Sequence, residues 1–255
     1  MNNIAAAFIL TCIAGFSTLI GTLFIFRKKS SDKLVKYALA FAAGTMICVS
    51  FTDLVPSGIS LLIKDNTKLF TFILIFLFIL VGIIISSLID IIIPESKHVS
   101  DNNKKLYKVG VFSLLAIIAH NIPEGIATFL SSTTDLALGI TLTVAITLHN
   151  IPEGISISVP IYHATGSRKK AFGLTFLSAI AEPVGALLAF FLLKPIITDT
   201  IMGTMFAIIA GIMMHIAASQ LLPTAMKYDE KKKTIMFFII GFIIMFISHT
   251  IFHAH

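Results

Sequence analysis

The sequence predicts an all-α integral membrane protein: eight transmembrane helices containing inverted-topology repeats. Three observations predict it: an apolar composition, eight long apolar runs separated by short loops, and a basic charge confined to alternate loops. Of 255 residues, 56% are hydrophobic and 13% charged. With a mean hydropathy of +0.97, this lies outside the range of soluble domains. A hydrocarbon core about 30 Å thick needs roughly 20 apolar residues per helix, and one polytopic domain over residues 1–255 is expected. Runs this long, without turn signals at strand spacing, exclude a transmembrane β-barrel.

The first run, 4–26, is read as a retained helix. Residues 1–4 carry no basic side chain, and Arg27, Lys28 and Lys29 follow the run, which is the reverse of a cleaved signal. Lys33 and Lys36 complete the first basic loop. The second run, 37–62, carries Asp53 in its outer part, and the third, 69–93, carries Asp90 near its inner end. The loop that follows holds Lys97, Lys104, Lys105 and Lys108. Runs four and five, 109–130 and 136–162, are followed by Arg168, Lys169 and Lys170. The sixth, 169–193, contains Glu182 and Pro183, and the seventh, 200–226, contains His215. Lys227, Lys231, Lys232 and Lys233 then precede the eighth, 234–252. Only Lys64, Lys68 and Lys194, of 19 basic residues, occupy the alternate loops. Short cytoplasmic loops accumulate Lys and Arg, so both termini are expected outside a cell membrane. The net charge of +6 follows from this sorting, and nucleic acid is not needed to explain it.

Two repeats organise the runs. HNIPEGI occurs at 120–126 and again at 149–155, on consecutive and therefore oppositely directed helices. AGTMICVSFTDLVP at 43–56 is matched more weakly by AGIMMHIAASQLLP at 210–223. Helix two runs outward and helix seven inward, the relation of an inverted repeat, whose binding site lies near the midplane between the repeats.

On a helix His120 and Glu124 are i,i+4 and Asn121 and Glu124 i,i+3, so an imidazole and an amide flank one carboxylate. Pro123 removes a backbone donor near Ala119, and Gly125 is expected to add local slack. His149, Asn150, Pro152, Glu153 and Gly154 repeat the device. Facing each other, the two helices would present two glutamates between a histidine pair and an asparagine pair. Imidazole with carboxylate suits zinc, iron, manganese or cobalt, whereas an all-oxygen side suits harder ions; two metal positions bridged by the carboxylates are geometrically allowed. A charge at bilayer centre costs about 2.5–3.5 kcal/mol on insertion scales, and Glu124, Glu153 and Glu182 have no Lys or Arg in any span core. A cation from solution would compensate them. Polar groups that merely join helices by hydrogen bonds would explain one histidine or asparagine, but not a duplicated hexapeptide with Glu182.

Depth and the adjacent Pro183 mark Glu182 as a further ligand candidate. Asp53 is either an attractor of cations or a solvated helix-end carboxylate, and Asp90 is read as interfacial. His215, beside Met213 and Met214, is read as a hydrogen-bonded core histidine. His98, His249, His253 and His255 lie near ends or loops, the last two at most weak metal collectors, and Cys12 and Cys48 read as packing residues.

With HNIPEG on two consecutive helices, Glu182 in AEPVG on the next, and eight spans with outward termini, the whole chain resembles the ZIP (Zrt/Irt-like) metal-transporter family. That resemblance implies a binuclear site: His120, Glu124, His149 and Glu153 for one metal, and Asn121, Glu124, Asn150, Glu153 and Glu182 for the second. It also implies inward transport of a divalent cation. The loop at 94–108 departs from many relatives in having only His98, and Gln220 stands where the repeat partner has Asp53.

The expected function is uptake of divalent transition-metal cations, zinc and also iron, manganese or cobalt, with the metal as cargo and no cofactor. The expected partners are those cations and the lipid bilayer, with a homodimer as one option. A passive metal-selective channel and a membrane di-metal enzyme are the alternatives. The peptidase pattern HExxH is missing from the sequence, and the soluble di-iron pattern Glu-x-x-His is missing from the apolar runs, occurring only in the loop at 95–98. The charge partition predicts that in intact cells cysteines placed at Asp135 and the C-terminus react with an impermeant reagent, while those at Lys105 and Lys169 do not; outside labelling at 169 would overturn the arrangement.

Overall fold

The computed structural model describes residues 2–26, 32–92, 101–193, 198–227 and 230–252. Eight of its helices are long and apolar enough to cross a membrane. Spans 1 to 4 are Asn3–Phe26, Lys33–Leu62, Lys68–Ile92 and Lys104–Thr134; spans 5 to 8 are Leu136–Thr165, Arg168–Phe191, Asp199–Ala225 and Lys231–Ile251. No strand occurs among the described residues, and the chain is a multi-pass membrane protein. Span 4 extends well beyond the predicted 109–130, because a helix continues past the hydrocarbon boundary when lysines such as Lys104 and Lys108 keep their ammonium groups in the interface. The readings of Arg27, Lys28, Lys29, Lys97, His98, Lys194, His253 and His255 lie outside the described residues.

Local sequence sets the ends. Asp135 caps span 5 by accepting from the Ala137 and Leu138 amides, and Gly166, at φ +67°, ends that span in the left-handed conformation. Ser167 caps span 6 through the Lys170 amide, and Thr198 caps span 7 through the Ile201 amide. Glu230, at φ +67°, precedes span 8. Its carboxylate accepts from Lys233, Tyr37 and Lys36 and is thereby held down at about pKa 2.

Spans 2 and 7 each contain one π-helical turn, Ser50–Leu54 and Ala217–Leu221. The Val55 amide reaches back to the Ser50 carbonyl and the Leu222 amide to the Ala217 carbonyl. Pro56 and Pro223 follow directly. A proline inside a helix removes one hydrogen bond and crowds the carbonyl four residues back, and an extra residue in the preceding turn relieves that crowding. The two π turns occupy matching positions in the weak sequence repeat, so the repeat is structural.

Spans 1, 4, 5 and 6 pack on one another, and spans 2, 3, 7 and 8 form a second group; spans 2, 7 and 8 meet the first group at spans 4 and 5. In the most apolar stretch of spans 3 and 8 only 17% of residues are buried, against 72% in span 4, which puts the former at the lipid boundary and the latter at the centre. Four parallel pairs of spans cross at reciprocal glycines. A Cβ at Gly21 would fall on the Ile151 carbonyl oxygen, and one at Gly154 on that of Thr18. The same relation joins Gly44 to Phe238 and Gly241 to Phe41, Gly82 to Ile208 and Gly211 to Ile79, and Gly125 to Glu182 and Gly185 to Ile122. In each case a glycine meets the carbonyl three residues before its partner glycine. Small residues admit this approach, and it suits Cα–H···O contacts between backbones. Exchanging spans 1 with 6, 2 with 7, 3 with 8 and 4 with 5 maps the four crossings onto one another, which is the inverted repeat expressed in packing.

The expected local slack at Gly125 is therefore corrected: spans 4 and 5 run as continuous helices through Pro123 and Pro152, and the motif glycine is there for a close backbone crossing. Gly241→Ala, far from the candidate site, is expected to cost about 1–3 kcal/mol by overpacking and to lower the thermal midpoint in detergent. Gly173→Ala, with nothing within 4 Å of the added Cβ, should leave the midpoint unchanged or raise it, as alanine favours helix. Equal midpoints for the two variants would contradict the crossing.

Candidate metal centre

The duplicated hexapeptides lie where spans 4 and 5 pack against each other and against spans 1 and 6. Each offers histidine, asparagine and glutamate on one helical face, and a parallel crossing brings span 6, with Glu182 on it, against Gly125. His120, Asn121, Glu124, His149, Asn150, Glu153 and Glu182 are all buried.

His149 Nε2 is 2.7 Å from Glu124 Oε1. His120 Nε2 lies 3.5 Å from Glu124 Oε2 and 3.8 Å from Glu153 Oε1, and the two imidazole centroids are 6.1 Å apart. One ligating atom from each of His120, Glu124 and His149 falls within 4.8 Å of the others. On the other side of the glutamates, Asn150 Nδ2 donates to Glu182 Oε1 and to the Ala14 carbonyl of span 1. Asn121 Nδ2 donates to the Ser178 carbonyl of span 6 at 3.3 Å. Both amides thus spend donors on backbone acceptors and keep their carbonyl oxygens free.

Buried polar atoms are normally paired, yet here several are not: both ring nitrogens of His120, Asn121 Oδ1, Glu124 Oε2, Asn150 Oδ1, both Glu153 carboxylate oxygens and Glu182 Oε2. The His120 and Glu124 atoms have only long contacts to each other. Nearly all these atoms are acceptors. An arrangement of this kind is under-supplied with positive charge, and a divalent cation satisfies several of its lone pairs at once.

A cavity of about 410 Å³ runs to this cluster from the end of the molecule that carries Asp199, and His120 and Glu124 form part of its wall. Asp53, placed in the π turn of span 2, lines it with Ser57 and Ser60; Thr128 and Ser131 line it from span 4. Asp53 is therefore a cavity carboxylate, accepting from Ser57 Oγ at 3.3 Å. Asp90, read as interfacial, is partly exposed, tied to Lys108 at 3.1 Å and accepting from Gln220 at 3.0 Å. His215 is the expected hydrogen-bonded histidine, contacting Ser86 Oγ at 2.9 Å and Ser87 Oγ at 3.2 Å. Cys48 is buried and Cys12 half-buried, both as free thiols.

Sequence reasoning missed the cavity. Its signal was present as two polar stripes at helical spacing, one through Asp53, Ser57 and Ser60, the other through His120, Glu124, Thr128 and Ser131. Asp199 carried no such signal, since only the tertiary fold brings it to the mouth.

Comparison with known proteins adds independent evidence. A family profile described as ZIP Zinc transporter matches residues 95–249. The zinc transporter ZupT of Streptococcus mutans is 42% identical over 261 residues, covering 98% of this chain and 99% of that protein. ZupT of Chlorobaculum parvum is 41% identical over 268 residues, with 98% and 99% covered, and ZupT of Lysinibacillus sphaericus is 43% identical over 264 residues, with 97% of each covered. Identity of this extent along nearly the whole chain, together with eight spans and a buried histidine–glutamate cluster on two of them, means that the chain belongs to the ZIP family.

Proposed function

We propose that this protein carries zinc across the plasma membrane into the cell, through alternating access to the cluster between spans 4, 5 and 6. Both termini face outward on this reading, because the basic loops lie at the opposite end from Asp135 and Asp199. The observation that carries the reading is the convergence of buried, unpaired acceptor atoms from His120, Asn121, Glu124, Asn150, Glu153 and Glu182. His120, Glu124, His149 and Glu153 take one ion. Asn121, Glu124, Asn150, Glu153 and Glu182 take a second, with the two central glutamates shared. The imidazole side favours zinc, and iron, manganese and cobalt are accepted less selectively by the oxygen-rich side. The cavity reaches the cluster from the Asp199 end, which supports entry of the ion from that side.

The residues divide the work. Glu124 and Glu153 supply most of the negative charge that replaces the ion's hydration shell. The imidazoles add directional nitrogen ligands, and Asn150 orients Glu182 by donating to it. Burial excludes water, so each ligand bond is made in a low dielectric, and a cation of lower charge recovers too little of its hydration energy to compete.

Because Glu124 is shared, Glu124→Ala is expected to abolish zinc uptake into vesicles and nearly all bound zinc in the purified protein. Asn150→Ala should remove only the oxygen-rich position, about half the bound metal, leaving His120 and His149 occupied. Equal metal loss in the two variants, with thermal midpoints unchanged, would overturn the two-position assignment; zinc uptake by Glu124→Ala would overturn the site itself.

Acidification gives a second test. Zinc ligands must be deprotonated, so binding releases protons and weakens as pH falls. Protons compete with zinc for the imidazoles and carboxylates, and apparent affinity is expected to drop steeply between roughly pH 7 and pH 5. Replacing His120 and His149 by asparagine should flatten that dependence and shift preference towards manganese. Calorimetry in buffers of different ionisation enthalpy counts the protons released per zinc, and a count near zero at pH 6 would rule out this ligand set.

A further inference from the structure

The cavity leading to the cluster carries three carboxylates, Asp199 at its mouth, Asp53 on its wall and Glu124 at its inner end, and among the described residues no lysine or arginine lines it. A lysine from outside the lining is paired with the first of them. Lys64, in the turn after span 2, places Nζ 2.8 Å from Asp199 Oδ2, with the two side chains 56% and 49% exposed. The same turn is held to the start of span 7 a second time, by Thr200 Oγ1 donating to Asp65 Oδ2 at 3.0 Å. At the floor, the ring nitrogens of His120 and Glu124 Oε2 are buried and unpaired, so the passage ends on groups that accept a cation.

An exposed Lys–Asp pair contributes only about 0–1 kcal/mol, too little to lock the turn and little enough to open at every encounter with a competing cation. A tethered ammonium nevertheless acts at an effective concentration in the millimolar range or above. That suffices to keep a singly charged ion off Asp199, whereas a dication, with twice the charge, displaces the ammonium and gains the full field of the mouth. Asp53 and Glu124 then continue the attraction inward.

We propose that Lys64 is a specificity-determining residue for entry: its ammonium competes with incoming cations for Asp199, lowering the occupancy of the mouth by monovalent ions and setting the apparent affinity for the divalent substrate. This rests on the zinc-transport reading for the identity of the ion but acts at a place remote from the ligand cluster. Lys64 touches neither that cluster nor the cavity floor, so it affects arrival and leaves the transfer step unchanged.

The test uses two readouts. In vesicles at low ionic strength, Lys64→Gln is expected to lower the KM for zinc two- to fivefold with kcat unchanged, and to make uptake more sensitive to added potassium chloride than in the wild type. Lys64→Arg should restore wild-type behaviour. In an Asp199→Asn background Lys64→Gln should have no effect on KM, because the two groups act on one another. The second readout needs no transport. In full-length protein with Cys12→Ala, Cys48→Ala and Ser60→Cys, the ratio of modification rates by a cationic and a neutral methanethiosulfonate should rise severalfold on Lys64→Gln, and the rise should vanish with Asp199→Asn and shrink at high salt. A ratio and KM unmoved by Lys64→Gln, or moved equally with Asp199→Asn present, would overturn the proposal. A rate ratio that responds as expected in a protein that transports no zinc would support the rim assignment and overturn the zinc reading instead.

Discussion

Three carboxylates inside a bilayer-spanning bundle are the constraint around which this molecule is arranged. Glu124, Glu153 and Glu182 are buried within spans 4, 5 and 6, where lipid cannot compensate them. The ion pairs recorded at Glu124 and Glu153 are with His120 and His149, groups that are themselves metal ligands when neutral. On the proposed reading a cation completes this cluster without having to displace a lysine or arginine from it.

Holding such a cluster together requires backbones that approach closely without polar glue of their own. The four reciprocal glycine crossings supply this. Two of them, Gly21 with Gly154 and Gly125 with Gly185, bracket the ligand residues directly, the carbonyl of Glu182 itself lying against Gly125. Tight packing here leaves the asparagines one arrangement, with their amide nitrogens donating to the Ala14 and Ser178 carbonyls. Their oxygens are left buried without a hydrogen-bond partner. In a bilayer, where apolar burial between helices contributes little, such contacts carry the packing.

The π turn of span 2 bears on the approach to this core, and span 7 has its counterpart. Each widens a helix by one residue ahead of a proline, and in span 2 the widened turn carries Asp53 to the cavity wall. In span 7 the equivalent residue is Gln220, which instead donates to Asp90. The two halves share a backbone device but differ in charge: a carboxylate is available to a cation on one side, whereas a neutral amide and an occupied Asp90–Lys108 pair stand on the other. The pseudo-symmetric frame is therefore asymmetric in charge.

Much of this was legible in the residues. Span number followed from apolar run length, and the candidate ligands followed from the placement of HNIPEG twice and Glu182 once among residues that otherwise suit lipid, since a polar group in hydrocarbon is too costly to persist without a use. The repeat of AGTMICVSFTDLVP in AGIMMHIAASQLLP already located the π turns of spans 2 and 7, although it did not reveal them, because these turns are a response to crowding around Pro56 and Pro223 in the folded helix. Other features were not local at all. Which glycine meets which carbonyl, that Asn150 donates to Glu182, that Asp90 is bound to Lys108 and Gln220, and that Lys64 pairs with Asp199 depend on residues more than a hundred positions apart in several of these cases. The chain by itself determined the spans, the chemistry within them and the repeat that relates them, since these follow from run length, side-chain type and spacing along single helices. Only the tertiary structure decided which faces meet and where water enters, since helix pairing in a bilayer is set by backbone fit at a few small residues and by hydrogen bonds that no periodicity announces.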